Sequence, residues 1–585
     1  MPLAINSTTF RNGPAGANGA DGLDGSVIST FGDPGGDGAR GTSVLQSFAN
    51  QVLAGDAGRD AVSVSRSATG GAGGSGGIGG DGFDGQPQSS SSGGNSLTTY
   101  TAPGGAAAGG AGGLGGHGSV LFDALTFDLR TVPGGADRID FSGTATGGAS
   151  GRSGQGGYGG VDFYHRTTDA SNFSTTTVID GIFGGNTPDP RASAAGGSGR
   201  VVFEDVAILA GSLVFTVLGT AVGGRGGDGA GGTDGADGVG SAGNASAGSD
   251  GGRGGAALAS LDRVEIRASE TLTLQLNLSA IGGRGGDGGD GAQGGVAVDQ
   301  VVITEGGGTS GYRIERHQPS SPGGDGADGG VATAQLNQVD IISGAQADIV
   351  TLRLHAAGGA GGEGGQGGRA VLPLVEYTQP VEREVIGTTS GPIGVDGSAG
   401  RASVSIRDTV VDLGADNDSL FLHLSGVFAT FSLLRSRFEG GLGTDRLSLG
   451  TGQSGEPDWL VNLQAGTLRA GGGGAATLGG FEVIQGGGGA DTILDATGDQ
   501  TYSGGAGGDL FRFGPNQPGH DRIQDFGAGD IIQLRGFGPQ LNSFAEVLLA
   551  TVDTPAGALI TTSPLSSILL AGVAEASLSA DMFRY

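Results

Sequence analysis

The chain has no cysteine, which excludes disulfides, thiolate metal sites and cysteine catalysis. It has no lysine either, so all 30 basic residues are arginine, and they face 59 acids for a net charge of −29. That balance argues against a nucleic-acid partner, which needs a basic surface to replace counterions. No run of about 18 apolar residues occurs, so no membrane span is expected. The opening Met1-Pro2-Leu3-Ala4-Ile5-Asn6-Ser7 has neither the basic nor the apolar region of a secretory signal peptide. Good helix formers are sparse, and glycine interrupts nearly every window long enough for a helix. The segment Phe544-Ala545-Glu546-Val547-Leu548-Leu549 is the exception and predicts a short helix.

What the chain has in abundance is glycine: 132 of 585 residues, about 23% against an average of roughly 7%. Collagen is excluded, because the three-residue period at Gly13, Gly16 and Gly19 soon lapses and prolines number only 19. Hydrophobic residues still make up 36% and charged ones 15%, unlike a solvated disordered tail. The remaining class is a repetitive fold that uses glycine structurally.

Gly-rich tracts begin near Gly70, Gly104, Gly147, Gly223, Gly282, Gly323 and Gly358. Between them, apolar and polar residues alternate with the period of half-buried strands, as in Val201-Val202-Phe203-Glu204-Asp205-Val206 and Leu272-Thr273-Leu274-Gln275-Leu276. The unit reads strand, turn, strand, Gly tract, with strand-opening alanines near Ala257, Ala297, Ala332 and Ala370 at 35- to 40-residue spacing. One unit cannot bury its apolar face alone, and stacked neighbours give a continuous core. The Gly-Gly-X tracts read either as flexible linkers or as extended, three-residue-per-turn segments packed side by side. A linker has no reason to hold the same spacing in successive units, so packed tracts are favoured over 200–370. The tract near 70–85 and the segment 86–95 are expected to be looser. The fold class expected is all-β: a Gly-rich β-solenoid with a C-terminal parallel β-roll. The domains expected are a partly loose N-terminal region over 1–118, a strand-repeat solenoid over 119–399, the roll over 400–512 and its cap over 513–585.

Past residue 400 the glycines follow a tighter grammar. Gly486-Gly487-Gly488-Gly489-Ala490-Asp491-Thr492-Ile493-Leu494 fits the nonapeptide Gly-Gly-x-Gly-x-Asp-x-apolar-x at every position. So do Gly504-Gly505-Ala506-Gly507-Gly508-Asp509-Leu510-Phe511-Arg512 and Gly440-Gly441-Leu442-Gly443-Thr444-Asp445-Arg446-Leu447-Ser448. Calcium takes six to eight oxygen ligands, and glycines let a tight turn aim main-chain carbonyls inward while the aspartate supplies charge. One turn cannot complete the sphere, so turns must stack, and two nonapeptides per coil put stacked turns 18 residues apart. Gly486 and Gly504 meet that spacing, so the well-formed calcium site is expected between these turns. A weaker one is expected at Asp445. The intervening 495–503 carries Gln500 where aspartate belongs, Gly440 has no complete partner 18 residues on, and Gly414-Ala415-Asp416-Asn417-Asp418-Ser419-Leu420 reads as a worn copy.

These repeats, together with Gly519-His520-Asp521-Arg522-Ile523-Gln524-Asp525-Phe526 and the terminal Asp581-Met582-Phe583-Arg584-Tyr585, resemble the RTX (repeats-in-toxin) hemolysin-type family, including the C-terminal β-rolls of serralysin-type proteases. The resemblance covers roughly 400–585. It implies a bacterial protein exported by type I secretion machinery that reads an uncleaved C-terminus, and it implies folding on calcium outside the cell.

No catalytic residue is expected. The six histidines, His117, His165, His317, His355, His423 and His520, form no His-Glu-x-x-His pair, so the zinc site of the serralysin proteases is absent. Gly73-Gly74-Ser75-Gly76-Gly77 matches a serine-nucleophile pattern by composition alone. Asp21, Asp24, Asp81 and Asp84 read as polar turn residues, with calcium or sugar ligation as the alternative. Trp459 and the seven tyrosines form no stripe for stacking sugars, and regular Thr-x-Thr ranks for binding ice are not evident. The function expected is that of a secreted, calcium-binding structural or adhesive protein whose partner is a cell-surface or matrix polysaccharide. The competing reading is a secreted polysaccharide-degrading enzyme with its acids on the solenoid.

Overall fold

The computed structural model describes residues 4–21, 34–54, 60–81, 87–92, 95–100, 106–129, 136–158, 166–170, 173–177, 191, 193–235, 237–239, 242–305, 308–378 and 381–585. Strand alternation builds two large sheets, one of 14 strands and one of 16, in which nearly all pairing along the solenoid is parallel. Each rung places one strand in each sheet, and inward residues fill the space between them. In Leu213–Val222, for example, Leu213, Phe215 and Val217 are buried while Val214 and Thr216 face outward. The core runs without a break from Val62 to Phe583. Both sheets pass through residue 400 uninterrupted, since Ile349–Ala357 pairs in register with Ser419–Ser425 in the first and Ala332–Ile342 with Ala402–Arg407 in the second.

The rungs are longer than the alanine spacing predicts. Ala257 and Ala332 are register partners 75 residues apart. Ala297 lies instead in a hairpin strand, Val296–Glu305, paired antiparallel to Gly308–His317, and Ala370 opens no strand. The chain leaves the first sheet along one Gly tract and returns to the second along another. Each full rung therefore contains two tracts, and within 282–330 and within 358–400 a hairpin between them mimics a sheet strand.

The tracts are packed, not linkers. In 223–232, Gly223, Gly226, Gly229 and Gly232 donate to the carbonyls of Ile281, Arg284, Asp287 and Asp290 in the next rung at 2.7–2.9 Å. Gly224 donates to Gly197 in a returning tract at 2.7 Å. A three-residue period with bonds only between tracts is the geometry of polyproline II segments bundled side by side. Two of every three residues face neighbouring backbones: a Cβ at Gly223 would lie 1.9 Å from the Gly255 oxygen, and one at Gly224 would lie 2.0 Å from the Gly148 oxygen. Ser75 is one of the outward tract residues. Its N–H donates to Asn18 and its carbonyl accepts from Gly19, so it has a main-chain role.

One further column threads the second sheet. Ala124, Asp205, Arg263, Gln338, Asp408 and Arg435 have φ between 49° and 54°; the first four are extra residues inside strands, and the last two lie in the turns between short strands. The ladder steps over them, pairing Glu204 with Asp262 and then Val206 with Val264. Opposite charges along this column meet: Arg263 binds Asp205, Glu204 and Asp262, and Arg435 binds Asp408.

Candidate functional site: stacked acidic turns

The short turns that lead into the strands carry two columns of acids. At the entry to the first sheet, Asp348 accepts from Leu272 N–H (2.5 Å) and Asp418 from Asp348 N–H (2.7 Å). Asp445 then accepts from Asp418 N–H (2.7 Å) and Glu482 from Asp445 N–H (2.8 Å). At the entry to the second sheet, Asp491 accepts from Trp459 N–H, Asp509 from Asp491 N–H and Asp530 from Asp509 N–H, at 2.7, 2.8 and 3.0 Å. In each case one carboxylate oxygen satisfies a main-chain donor one rung away, much as an N-cap serves a helix.

The 486 and 504 turns stack with the 18-residue offset read from the sequence. Thr492 pairs with Leu510, Asp491 bonds to Asp509 across 18 positions, and Ala506 N–H donates to the Gly487 carbonyl at 2.9 Å. Gly505 and Gly507 have φ of +96° and +134°, conformations that require glycine. Gly486, Gly487, Gly488 and Gly489 form the facing turn, together with Asp491. This turn differs from its partner: neither Gly487 nor Gly489 has positive φ. Instead Gly487 N–H donates to Asp491 Oδ2 (2.7 Å), and Ala490 N–H donates to Asp458 Oδ1 (2.9 Å).

The 440 turn has its partner on the other side. Gly441 and Gly443, at φ +110° and +147°, repeat the 504 geometry, and Gly414 and Asp416 match them at +86° and +78°. Leu442 N–H donates to the Gly414 carbonyl (3.0 Å) and Thr444 N–H to Asn417 Oδ1 (2.8 Å), 27 residues earlier. The stretch that read as a worn copy is the stacked mate of the 440 turn. In the degenerate 495–503, Gln500 sits in the first acid column and its N–H donates to Asp521 Oδ1 (3.0 Å). Tyr502 hydroxyl donates to Asp495 Oδ1 at 2.5 Å.

Burial dominates the electrostatics of these acids. It pushes Asp491 up to about 7, with the Asp509 and Asp458 carboxylates adding to the shift, and Asp509 up to about 6, with Asp530 and Asp525 adding. Asp418 rises to about 7 by burial and by Asp348 and Asp445, and burial also raises Asp445. The Oδ2 atoms of Asp348, Asp418, Asp445 and Asp509 are buried with no hydrogen-bond partner. A buried carboxylate oxygen facing nothing costs free energy unless a proton or a cation meets it. The donor set fits a hard cation: carboxylate oxygens beside Gly-rich turns rich in main-chain carbonyls. Among the described residues no three His, Asp or Glu side chains converge on one point, so main-chain oxygens would supply most ligands.

The acids of the Gly tracts have a different role. Asp21 and Asp81 accept from Ile78 and Tyr158 N–H at 2.9 and 2.7 Å. Asp287, Asp290, Asp325 and Asp328 do the same for the rung that follows. They peg one tract to the next; Asp24 and Asp84 lie outside the described residues. Among the described residues no helix is long and apolar enough to cross a membrane. Neither family models nor curated proteins give a match to this chain.

Proposed function

We propose that this chain is a secreted, calcium-binding, RTX-like repeat protein with a structural or adhesive role at a bacterial surface or matrix, folding on calcium after type I export. The observation that carries the reading is the phased stack of the 486 and 504 turns with a buried, unpaired oxygen of Asp509 between rungs. Asp509, Asp491 and the carbonyls of 486–489 and 504–507 would hold one ion. Asp445, Asp418 and the 414–417 and 440–443 turns would hold another. Bound calcium would neutralise the buried carboxylates and tie successive turns together.

The chain's own residues account for the rest. Burial holds these acids in the folded state at a cost that a cation removes, so binding free energy becomes folding free energy. Extracellular calcium modules bind at about 10⁻⁴ to 10⁻³ M, tight enough to fold outside a cell and weak enough to stay open inside it. With no disulfide available, the tract bundle and the calcium turns would serve as the staples, and the solenoid would act as a stiff spacer. The test is circular dichroism of the full chain and of the fragment 400–585, titrated with calcium and then chelator. A calcium-dependent, chelator-reversible gain of β signal is expected, weakened by Asp509→Ala and by Asp491→Ala. No gain in either protein would refute the reading.

A further inference from the structure

The outward face of the first sheet carries a cleft whose lining includes no member of either acid column. Its floor is four in-register strands, Leu213–Val222, Leu272–Ile281, Ile349–Ala357 and Ser419–Ser425. Because outward residues of stacked strands line up, one row across the floor reads Leu218, Asn277, Arg353, His423 and the next reads Thr220, Ser279, His355, Ser425. The loop 451–456 stands over one end, anchored by Gly426 N–H donating to the Gly455 carbonyl at 2.9 Å. The open cleft has a volume of about 550 Å³, within the range of small-molecule sites, about 300–1,000 Å³.

The lining is chemically unfinished. Neither ring nitrogen of His423 and not the Oδ1 of Asn277 has a hydrogen-bond partner, although all three atoms are buried. Arg353 is exposed and, among the described residues, forms no ion pair. The nearby acid is already engaged: Glu456 accepts from Thr451 N–H and Oγ1 and from Gly452 N–H at 2.7, 2.8 and 3.2 Å. The cleft therefore offers one uncommitted guanidinium at its surface, and one rung to either side an amide acceptor and an imidazole that a ligand reaches only by displacing the groups that cover them. Leu218 and Val427 beside them supply apolar surface.

We propose that this cleft binds an acidic sugar unit, a uronate, with its carboxylate on Arg353 and its hydroxyls on His423 and Asn277. A guanidinium without a partner selects a carboxylate. An acceptor and an imidazole beside it select hydroxyls, because a ligand lacking them leaves those buried atoms unpaired. Burial keeps His423 below the usual histidine range, with the neighbouring Arg353 charge adding to the shift and the Glu456 carboxylate opposing it. The imidazole is then neutral at pH 7 and presents one donor and one acceptor. The assignment gives the adhesive reading its partner class and rests on that reading for the partner being a polymer. It does not depend on calcium being the folding ligand.

The test is calorimetric titration of the full chain in millimolar calcium with digalacturonate, the neutral digalactose of the same linkage and sodium acetate. Folding is scored in the same samples by circular dichroism. The expected result is binding of digalacturonate, with the neutral sugar and acetate each at least about tenfold weaker. Arg353→Gln should remove the preference for the acidic sugar. His423→Phe should weaken both sugars about two- to tenfold. Both substitutions lie on the outward face of the sheet, so the β signal should be unchanged. A folded chain that binds neither sugar refutes the cleft while leaving the calcium reading standing. Equal binding of the two sugars, an unchanged preference in Arg353→Gln, or acetate binding as tightly as digalacturonate overturns the uronate assignment.

Discussion

Replacing Asp509 by asparagine should stabilise the calcium-free protein and destabilise the calcium-bound one. Asp509 Oδ1 accepts from Asp491 N–H, a bond that an asparagine carbonyl can keep, while Oδ2 is buried and unpartnered. Burial lifts its pKa in the folded state from 3.8 to about 6. An acid whose folded pKa is raised carries no penalty at pH values below its unfolded pKa. The penalty grows as pH climbs from about 4 to about 6 and is complete above that. Two pH units at about 1.4 kcal/mol each set a ceiling of about 3 kcal/mol. Asparagine removes the charge and with it this residue's share of the pH dependence, leaving that of Asp491 and the other buried acids. Without calcium at pH 7.5 the variant should be about 2 kcal/mol more stable, and near pH 4 the two proteins should coincide. Calcium at a hundredfold excess over its dissociation constant should add about 2.7 kcal/mol to the wild type, and the variant should lose most of that gain. The assay is urea unfolding followed by the fluorescence of Trp459. This is the sole tryptophan, it is buried, and its main-chain N–H donates to Asp491. The ordering of the two proteins should invert when calcium is added. An asparagine variant that is no more stable than wild type without calcium, or that gains as much from calcium, would refute the argument.

Four other substitutions probe the scaffold. Gly255→Ala would place a methyl 2.0 Å from the Gly197 carbonyl oxygen and should cost about 3 kcal/mol or more, whereas Arg225→Ala at an outward tract position should cost no more than about 1 kcal/mol; thermal unfolding monitored by circular dichroism separates the two. Tyr502→Phe strips the buried Asp495 of its hydroxyl donor and should cost about 1–3 kcal/mol in the same Trp459-monitored urea titration. Gln338→Gly should stabilise or be neutral, because φ is +53° there and a side chain in that conformation costs about 1–2 kcal/mol; a loss of melting temperature like that of a glycine placed elsewhere in a strand would contradict the left-handed column.

Local patterns of short range were legible in the sequence. Alternation at 201–217 and 272–278 gave the strands, the Ser543-capped segment Phe544–Leu549 is a helix as expected, and the Gly-Gly-X spacing pointed to packed tracts. The 18-residue offset between Gly486 and Gly504 was legible because both nonapeptides are intact. The 27-residue offset between the 414 and 440 turns was not, because Asp416 takes the left-handed position that Gly443 holds in its mate. The out-and-back path was hidden by hairpins whose alternation matches that of the sheets. Least legible was the cleft. Leu218, Asn277, Arg353 and His423 fall 59, 76 and 70 positions apart, and unequal steps leave no period to detect.

Those unequal steps have a consequence for how such a chain can change. Equivalent tract positions lie 57 residues apart between Asn18 and Ser75, 77 between Asp81 and Tyr158, 59 between Asp228 and Asp287, and 70 between Asp325 and Val395. The core strands and pegged tracts keep register all the same, because the surplus residues lie beyond the far ends of the tracts. Rung length is thus decoupled from core geometry. A segment added or deleted at the distal end would alter only what that rung presents, so residues there can diversify rung by rung while the spine that carries them stays the same.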